Sequence, residues 1–265
     1  KRNLMKGSVI PRYSGLPTVL KENGYYNLFF MTHEGQYDNM NAFFRTNGYD
    51  EVFSQEDYPA DKVVNSFGVQ DDFLYDYAIP VLNQRAATGQ PFFATLLSIS
   101  NHPPYVIPPF FHPKTSEPET QIVEYADWAL RQFFEEARKQ PWFDNTIFVL
   151  EGDHGKLVGD AECELPESYN HIPLMIYSSR IQPEEKTTFG GQVDIQPTIL
   201  GLLNIDYLQN NFGVDLLKEE RPCMFYTADN MVVGRNDTLL YLYNYETQQE
   251  LTYDIGNGKL NAVPM

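Results

Sequence analysis

Cysteine, basic residues and long apolar runs are scarce in this sequence of 265 residues. The two cysteines, Cys163 and Cys223, allow at most one disulfide, and the sequence does not place their sulfurs near each other. Lysine and arginine number 19 against 36 aspartates and glutamates, and the resulting net charge of -17 disfavours nucleic acid and anionic membrane as generic partners. No apolar run approaches the ~20 residues of a membrane-spanning helix.

Internal repeats, low-complexity tracts and the pattern of a signal peptide are also missing. The chain opens on KRNLMKGSVIPRYSG, which we interpret as mid-protein sequence. We therefore expect Lys1 to be an internal residue of a longer protein.

Apolar and aromatic residues, by contrast, are plentiful. Hydrophobic residues make up 42% of the chain, with 18 Tyr and 18 Phe. This is the composition of a globular protein, and the length suffices for one large domain with a small appendage.

Short apolar runs alternate with amphipathic segments along the chain. Four runs predict buried strands, namely YYNLFFM, PFFATLLSIS, TIFVL and HIPLMIYSS. Helices are predicted from about Leu16 to Gly24, from near Asp38 to Gly48, across DDFLYDYAIPVLNQRAATGQ, across EPETQIVEYADWALRQFFEEARKQ, and from Asp194. In the third of these, Pro80 predicts a kink or a break. The alternation predicts an α/β fold, a mostly parallel sheet with helices on both faces. We expect a main domain over residues 1–220 and a β-rich subdomain over 221–265, where the strand-like runs are short.

Histidines follow three of the four predicted strands. His33, His102 and His154 stand in polar turns just after a strand, and His171 stands just before one. Ligands in open α/β sheets bind beyond the carboxyl ends of the strands. This distribution predicts a functional site at that edge.

The turn EGDHG after TIFVL carries the strongest local signal. Asp153 and His154 can face one point there, and a carboxylate with an imidazole suits Mn²⁺ or Zn²⁺ better than Mg²⁺ or Ca²⁺. Gly152 and Gly155 permit tight backbone angles around an ion. The alternative is a polar turn whose aspartate caps the next segment, and spacing alone does not decide between the two.

The other histidines are ambiguous one by one. His102, after Asn101 in SISNHPPY, can donate to an anionic oxygen or act as a general acid, or it is a surface histidine in a proline-rich loop. His33 lies in a polar turn that is either part of a site or simply a solvated loop. His171 faces either the same edge of the sheet or solvent.

The ordered set of motifs resembles the sulfatase and alkaline phosphatase superfamily, and more narrowly the lipoteichoic acid synthase-like phosphoglycerol transferases. The motifs are HEG, YDNM, NGYDEVF, SISNHPPY, FVLEGDHG, NHIPLMIY, GGQVDIQPTILGLLNI and FGVDLL, from about Leu16 to Leu217. The resemblance implies an alkaline-phosphatase-like fold.

The resemblance also assigns roles. Asp153 and His154 match the pair that binds the catalytic divalent ion, expected to be Mn²⁺ with Mg²⁺, Ca²⁺ or Zn²⁺ as alternatives. His102 matches the histidine of the family's T-N-H turn, which contacts the phosphoryl group and protonates the leaving group. Substrate contacts are expected from the remaining matched positions, His33, Asn101 and His171.

A nucleophile and an acidic metal ligand, which the family places before the HEG segment, are not found. Ser8, Ser14 and Thr18 are the only hydroxyls near that place, and no apolar strand precedes them. We expect the nucleophile to lie upstream and this chain alone to be inactive.

For the whole protein, the resemblance implies a metal-dependent phosphoglycerol or phosphoethanolamine transferase or phosphodiesterase that acts on an anionic lipid head group or glycan. It implies an extracytoplasmic domain anchored by upstream membrane helices. The alternatives are a sulfatase, a non-catalytic domain that binds an anionic glycan or lipid head group, and a hydrolase that uses zinc held by Asp153 and the histidines.

Overall fold

The computed structural model describes residues 5, 7, 9–157, 160, 161, 163–256 and 261–263. The chain forms two compact units, one of residues 2–144 and one of residues 145–265. The sequence-based boundary at residue 220 stays a prediction. Among the helices of the described residues, none combines the length and apolar character needed to cross a bilayer.

The first unit contains a parallel sheet of three strands. Its strands are β1 (Tyr26–Met31), β2 (Glu51–Phe53) and β5 (Phe92–Leu97), in the order β2-β1-β5. All pairs are parallel, with Leu28 opposite Glu51 and Ala94. A short antiparallel hairpin, β3 (Val63–Asn65) and β4 (Gly68–Val69), lies between β2 and β5 in the chain.

Four helices accompany this sheet, namely α1 (Leu16–Glu22), α2 (Met40–Thr46), α3 (Asp71–Ala86) and α4 (Pro118–Ala137). On α4 the predicted amphipathic pattern is confirmed at Ile122, Tyr125, Ala129 and Phe133, which are buried, whereas Phe134 at the end of the predicted face is half-buried. The α3 helix packs against α4 and against β1 and β5. It continues through Pro80, so a break there, one of the two predicted outcomes, is excluded.

The α2 helix begins later than predicted. Asp38 and Asn39 adopt left-handed backbone angles, with φ of 48° and 62°, and the helix starts only at Met40. Asparagine and aspartate tolerate this conformation better than other residues with a Cβ. The helix ends as predicted before Gly48, whose φ is 108°.

The second unit is built mainly from antiparallel strands. β6 (Phe148–Glu151) pairs with β7 (Leu174–Tyr177) antiparallel, with Phe148 opposite Tyr177. The prediction that HIPLMIYSS is a buried strand is wrong, because Met175 is 55% exposed. The pattern of apolar residues predicts that this segment is a strand. It does not predict whether the strand pairs parallel or antiparallel, or how deeply it is buried.

A five-stranded antiparallel sheet confirms the predicted C-terminal β-rich region. Its strands are β8 (Met224–Ala228), β9 (Met231–Arg235), β10 (Leu239–Asn244), β11 (Gln249–Asp254) and β12 (Asn261–Ala262), paired in chain order. Val233, Leu240 and Leu242 form its core, and each buried side chain of this size contributes roughly 1.5–3 kcal/mol. The α5 helix (Ile195–Leu202) follows a single 3-10 turn at Gln192–Asp194 in this unit.

Candidate active-site residues

The Asp153–His154 turn follows β6 directly and exposes both side chains. The Nε2 atom of His154 lies 3.7 Å from Oδ2 of Asp153. The Nδ1 atom lies 2.8 Å from the carbonyl oxygen of Gly155, which only accepts, so Nδ1 carries the ring proton. This tautomer leaves the lone pair of Nε2 free beside a carboxylate oxygen, and imidazole ligands of metals are oriented in this way.

Two neighbours fix the backbone of this turn. Gln192 donates its side-chain amide to the carbonyl oxygen of Asp153 at 3.0 Å. Gly155 donates its N–H to Tyr169 at 2.9 Å and approaches Ser168 so closely that a Cβ would lie 1.9 Å from the Ser168 carbonyl oxygen. The glycine predicted here for its flexibility is therefore required for close packing.

The turn alone supplies two ligands for a divalent ion. The free Nε2 and the Asp153 carboxylate fit Mn²⁺ or Zn²⁺ as a pair of ligands. In the part of the chain that the structure describes, no group of three or more His, Cys, Asp and Glu side chains is arranged to hold a metal. A catalytic ion ordinarily has three protein ligands.

In the first unit, His102 is exposed in the loop after β5. Its Nδ1 atom donates to the carbonyl oxygen of Pro103 at 2.7 Å, which leaves Nε2 without the ring proton in the neutral form. The imidazole lies beside a small cavity of about 10 Å³, room for about one water molecule. This arrangement suits a group that exchanges a proton with a ligand.

Asp71, which sequence reasoning missed, holds the His102 loop. This residue begins α3 and is 2% exposed, and its Oδ1 accepts the N–H groups of Ile99 at 2.9 Å and Ser100 at 3.0 Å. Burial raises the pKa of the Asp71 carboxyl, and these hydrogen bonds oppose the shift. From the preceding position, Gln70 donates to the carbonyl oxygen of Val106 at 2.6 Å on the far side of the loop.

His33 follows β1 but is 2% exposed, so its side chain is part of the interior. Its Nδ1 donates to the carbonyl oxygen of Glu34 at 3.2 Å. Glu56 accepts the N–H of Gly35 at 3.1 Å and the hydroxyl of Ser54 at 2.7 Å. Slight burial raises the pKa of Glu56. These hydrogen bonds and the nearby His33 lower that pKa by more, so the net shift is downward.

Asn101 and His171 are exposed residues of their own loops. His171 donates its N–H to the carbonyl oxygen of Glu167 at 2.8 Å, which closes a short turn before β7. Their roles as substrate contacts stay predictions. Cys163 and Cys223 are not joined by a disulfide, and the thiol of Cys163 donates to the carbonyl oxygen of Leu165 at 3.1 Å.

The chain belongs to the sulfatase family, whose model matches residues 3–205. It is 27% identical over 274 residues to lipoteichoic acid synthase 1 of Bacillus subtilis, covering 94% of this chain and 41% of that protein. Phosphoglycerol transferase I of Xanthomonas campestris is 25% identical over 242 residues, covering 87% of this chain and 34% of that protein. The chain thus spans well under half the length of these curated relatives.

Solved structures confirm the predicted alkaline-phosphatase-like fold. An alkaline phosphatase superfamily protein from Vibrio parahaemolyticus superposes with a TM-score of 0.87 at 28% identity, covering 100% of this chain and 67% of that one. A lipoteichoic acid synthase from Listeria monocytogenes superposes with a TM-score of 0.81 at 22% identity, covering 99% and 69%. The resemblance drawn from the motif order is confirmed.

Proposed function

We propose that the whole protein is a metal-dependent phosphoglycerol or phosphoethanolamine transferase or phosphodiesterase. The observation that carries the proposal is the Asp153–His154 turn, where a hydrogen bond to Gly155 frees Nε2 beside a carboxylate. The similarity to lipoteichoic acid synthases and a phosphoglycerol transferase supports a phosphodiester substrate.

Asp153 and His154 are the proposed ligands of Mn²⁺, with Mg²⁺, Ca²⁺ or Zn²⁺ as alternatives. A divalent ion supplies Lewis-acid stabilisation of the negative charge that develops on a phosphoryl oxygen. Hydrogen bonds of Gln192 and Gly155 fix the backbone of the turn, so the two ligands are positioned without a bound ion. Because two ligands are fewer than such an ion needs, we propose that further groups of the whole protein complete the set.

His102 is the proposed general acid. With Nδ1 donating to Pro103, Nε2 is the atom that takes up a proton and delivers it to the oxygen of the leaving alcohol. Asp71 keeps its loop in place. We propose that residues 1–265 alone are inactive, because among the residues that the structure describes no third His, Cys, Asp or Glu joins Asp153 and His154 in a metal site.

The substrate we propose is an anionic lipid head group or glycan, met outside the cytoplasmic membrane by a protein that is anchored in it. Nucleic acid is a poor partner for a chain of net charge -17. The same acidic surface makes a local cation necessary for an anionic substrate, which agrees with a metal at Asp153 and His154.

The test is release of the glycerophosphate head group from phosphatidylglycerol by the whole protein, with Mn²⁺ and after chelation. We expect Mn²⁺-dependent release, and a loss of at least a hundredfold in the Asp153→Asn variant. The matched control is Asp160→Asn, an exposed aspartate elsewhere in the same unit.

Sulfate-ester hydrolysis is the second candidate, because the matching family model is that of the sulfatases. An aryl sulfate ester is assayed beside phosphatidylglycerol. Release of sulfate without release of glycerophosphate would overturn the phosphodiester proposal. Turnover of neither, with head-group binding retained, would instead indicate a binding domain.

A further inference from the structure

We propose that Phe67 is a positioning residue for His102, an inference that rests on the proposed function of His102. The ring of Phe67 packs against the imidazole with centroids 4.2 Å apart and planes inclined at 44°. The other residues that line the cavity beside His102 carry no charge. The imidazole is therefore oriented by packing against this ring together with its hydrogen bond to Pro103.

The β3–β4 hairpin carries Phe67 and is fixed at that point to the residue after β1. Gly68 has a φ of +89°, and a Cβ on it would lie 1.7 Å from the carbonyl oxygen of Thr32. Val69 donates its N–H to the same oxygen at 3.2 Å, and Phe67 donates its N–H to the side chain of Asn65 at 2.8 Å. The backbone under Phe67 thus has little freedom to carry the ring away from His102.

A second ring supports Phe67 from another side. Tyr37 lies 6.4 Å from Phe67 in an edge-to-face arrangement, and Tyr37 in turn packs 4.7 Å from the buried His33. Aromatic pairs in such edge-to-face or tilted arrangements attract each other beyond the effect of the area that they bury. Phe67 and Tyr37 thus form a continuous row of packed rings from the exposed His102 to the buried His33.

His102 needs such a support because its side chain is exposed and its described hydrogen bond is to the adjacent residue. The hydrogen bond to the Pro103 carbonyl selects the tautomer only while the imidazole keeps this orientation, and rotation of an exposed ring exchanges that bond for water. The Phe67 ring restricts that movement and holds Nε2 toward the ligand. A displacement of about 1 Å in a catalytic group can reduce a rate by about a hundredfold.

The first test is spectroscopic and needs no substrate. Long-range ¹H–¹⁵N spectra of the 265-residue chain, recorded about two pH units above the ordinary histidine pKa of ~6.5, report the tautomer of each neutral imidazole. The His102→Gln variant assigns the signal. We expect a single Nδ1–H tautomer in the wild type, mixed tautomers in Phe67→Ala, and the wild-type signal in Phe67→Tyr.

The control is Phe110→Ala, which removes an exposed ring that packs on Trp128 instead. It should leave the His102 signal unchanged. An unchanged His102 tautomer in Phe67→Ala would overturn the proposal. Phe67→Leu keeps most of the side-chain volume and serves as the folded comparison if Phe67→Ala loses structure. An unchanged His102 signal in Phe67→Leu would count equally against a role for the ring.

The second test is kinetic and uses the whole protein with phosphatidylglycerol. Phe67→Ala should lower kcat ten- to hundredfold with KM within about twofold, and Phe67→Tyr should restore it. A wild-type kcat in Phe67→Ala would overturn the positioning role even if the tautomer changed. If the wild-type whole protein released no head group, the proposed function would fail, and the spectra alone would decide whether Phe67 orients His102.

Discussion

At the scale of single residues, the hydrogen bonds of Asp71 control the loop that carries His102. Its Oδ1, on a side chain that is 2% exposed, accepts the backbone N–H groups of Ile99 and Ser100. We predict that Asp71→Ala destabilises the chain by about 1–3 kcal/mol, the cost of leaving donors in a partly buried loop without their acceptor. Urea unfolding followed by circular dichroism measures this difference.

Asp71→Asn is the matched comparison, because an amide oxygen can accept the same two N–H groups. Burial raises the folded pKa of Asp71, so its ionisation opposes folding and this unfavourable contribution grows as pH rises above the unfolded pKa. The asparagine variant should therefore gain stability relative to the wild type between acidic and neutral pH. A stability difference that is independent of pH would show that the charge of Asp71 is fully compensated in the folded state.

Gly155 sets the shape of the proposed metal-binding turn at the same scale. Gly155→Ala places a Cβ against the carbonyl oxygen of Ser168, and relief of this overlap costs about 1–3 kcal/mol. We predict a lower Tm and weaker Mn²⁺ binding. Gly15→Ala, where the nearest atom is 3.8 Å away, should change Mn²⁺ binding by less than twofold. Equal binding by the two variants would contradict the assigned role.

At the scale of elements, a buried carboxylate just before α5 connects the start of that helix to residues farther along the same unit. Asp194 is 1% exposed and accepts the N–H of Val214 at 2.8 Å, the N–H of Gly191 at 2.9 Å and the guanidinium of Arg221 at 2.5 Å. Asp194→Ala leaves that guanidinium and both N–H groups without their partner. We predict a loss of about 3–5 kcal/mol in the free energy of unfolding.

The exposed pair of Asp127 with Arg131, on α4, gives the comparison for Asp194. These side chains are 74% and 68% exposed and 3.7 Å apart, so Asp127→Ala should cost only about 0–1 kcal/mol. Chemical denaturation of the two variants side by side makes the measurement. Similar losses would mean that the Asp194 cluster is solvated in solution.

The elements also show what a sequence can and cannot predict. The α4 face was predictable because its period of 3.6 residues depends on one segment alone. The antiparallel pairing of β6 with β7 and the burial of His33 were not, since both depend on partners distant in the chain. For the candidate site, the position of Asp153 and His154 in a turn directly after a strand was predictable, whereas their metal-binding role stays a prediction. Asp71 and Phe67 were not, because their neighbours are about thirty residues away.

At the scale of the whole molecule, the negative net charge of the chain bears on its need for a metal ion. A chain with 36 acidic and 19 basic residues repels an anionic substrate, so catalysis on a phosphodiester requires a local positive charge. Asp153 and His154, which lie side by side in one exposed turn, are the proposed ligands of the cation that would supply this charge. The sulfatase-family membership is consistent with that assignment.

Metal removal tests this link. Two ligands predict weak binding, so we expect residues 1–265 to bind Mn²⁺ with a dissociation constant above about 10⁻⁴ M, as in sites of few charged ligands. Electron paramagnetic resonance of free Mn²⁺ measures it, and His154→Gln should weaken it further while His171→Gln should not. In the whole protein, chelation should abolish head-group release and Mn²⁺ should restore it. Tight binding by residues 1–265 would mean that the chain supplies more ligands than this pair, and release that survives chelation would remove the metal from the mechanism.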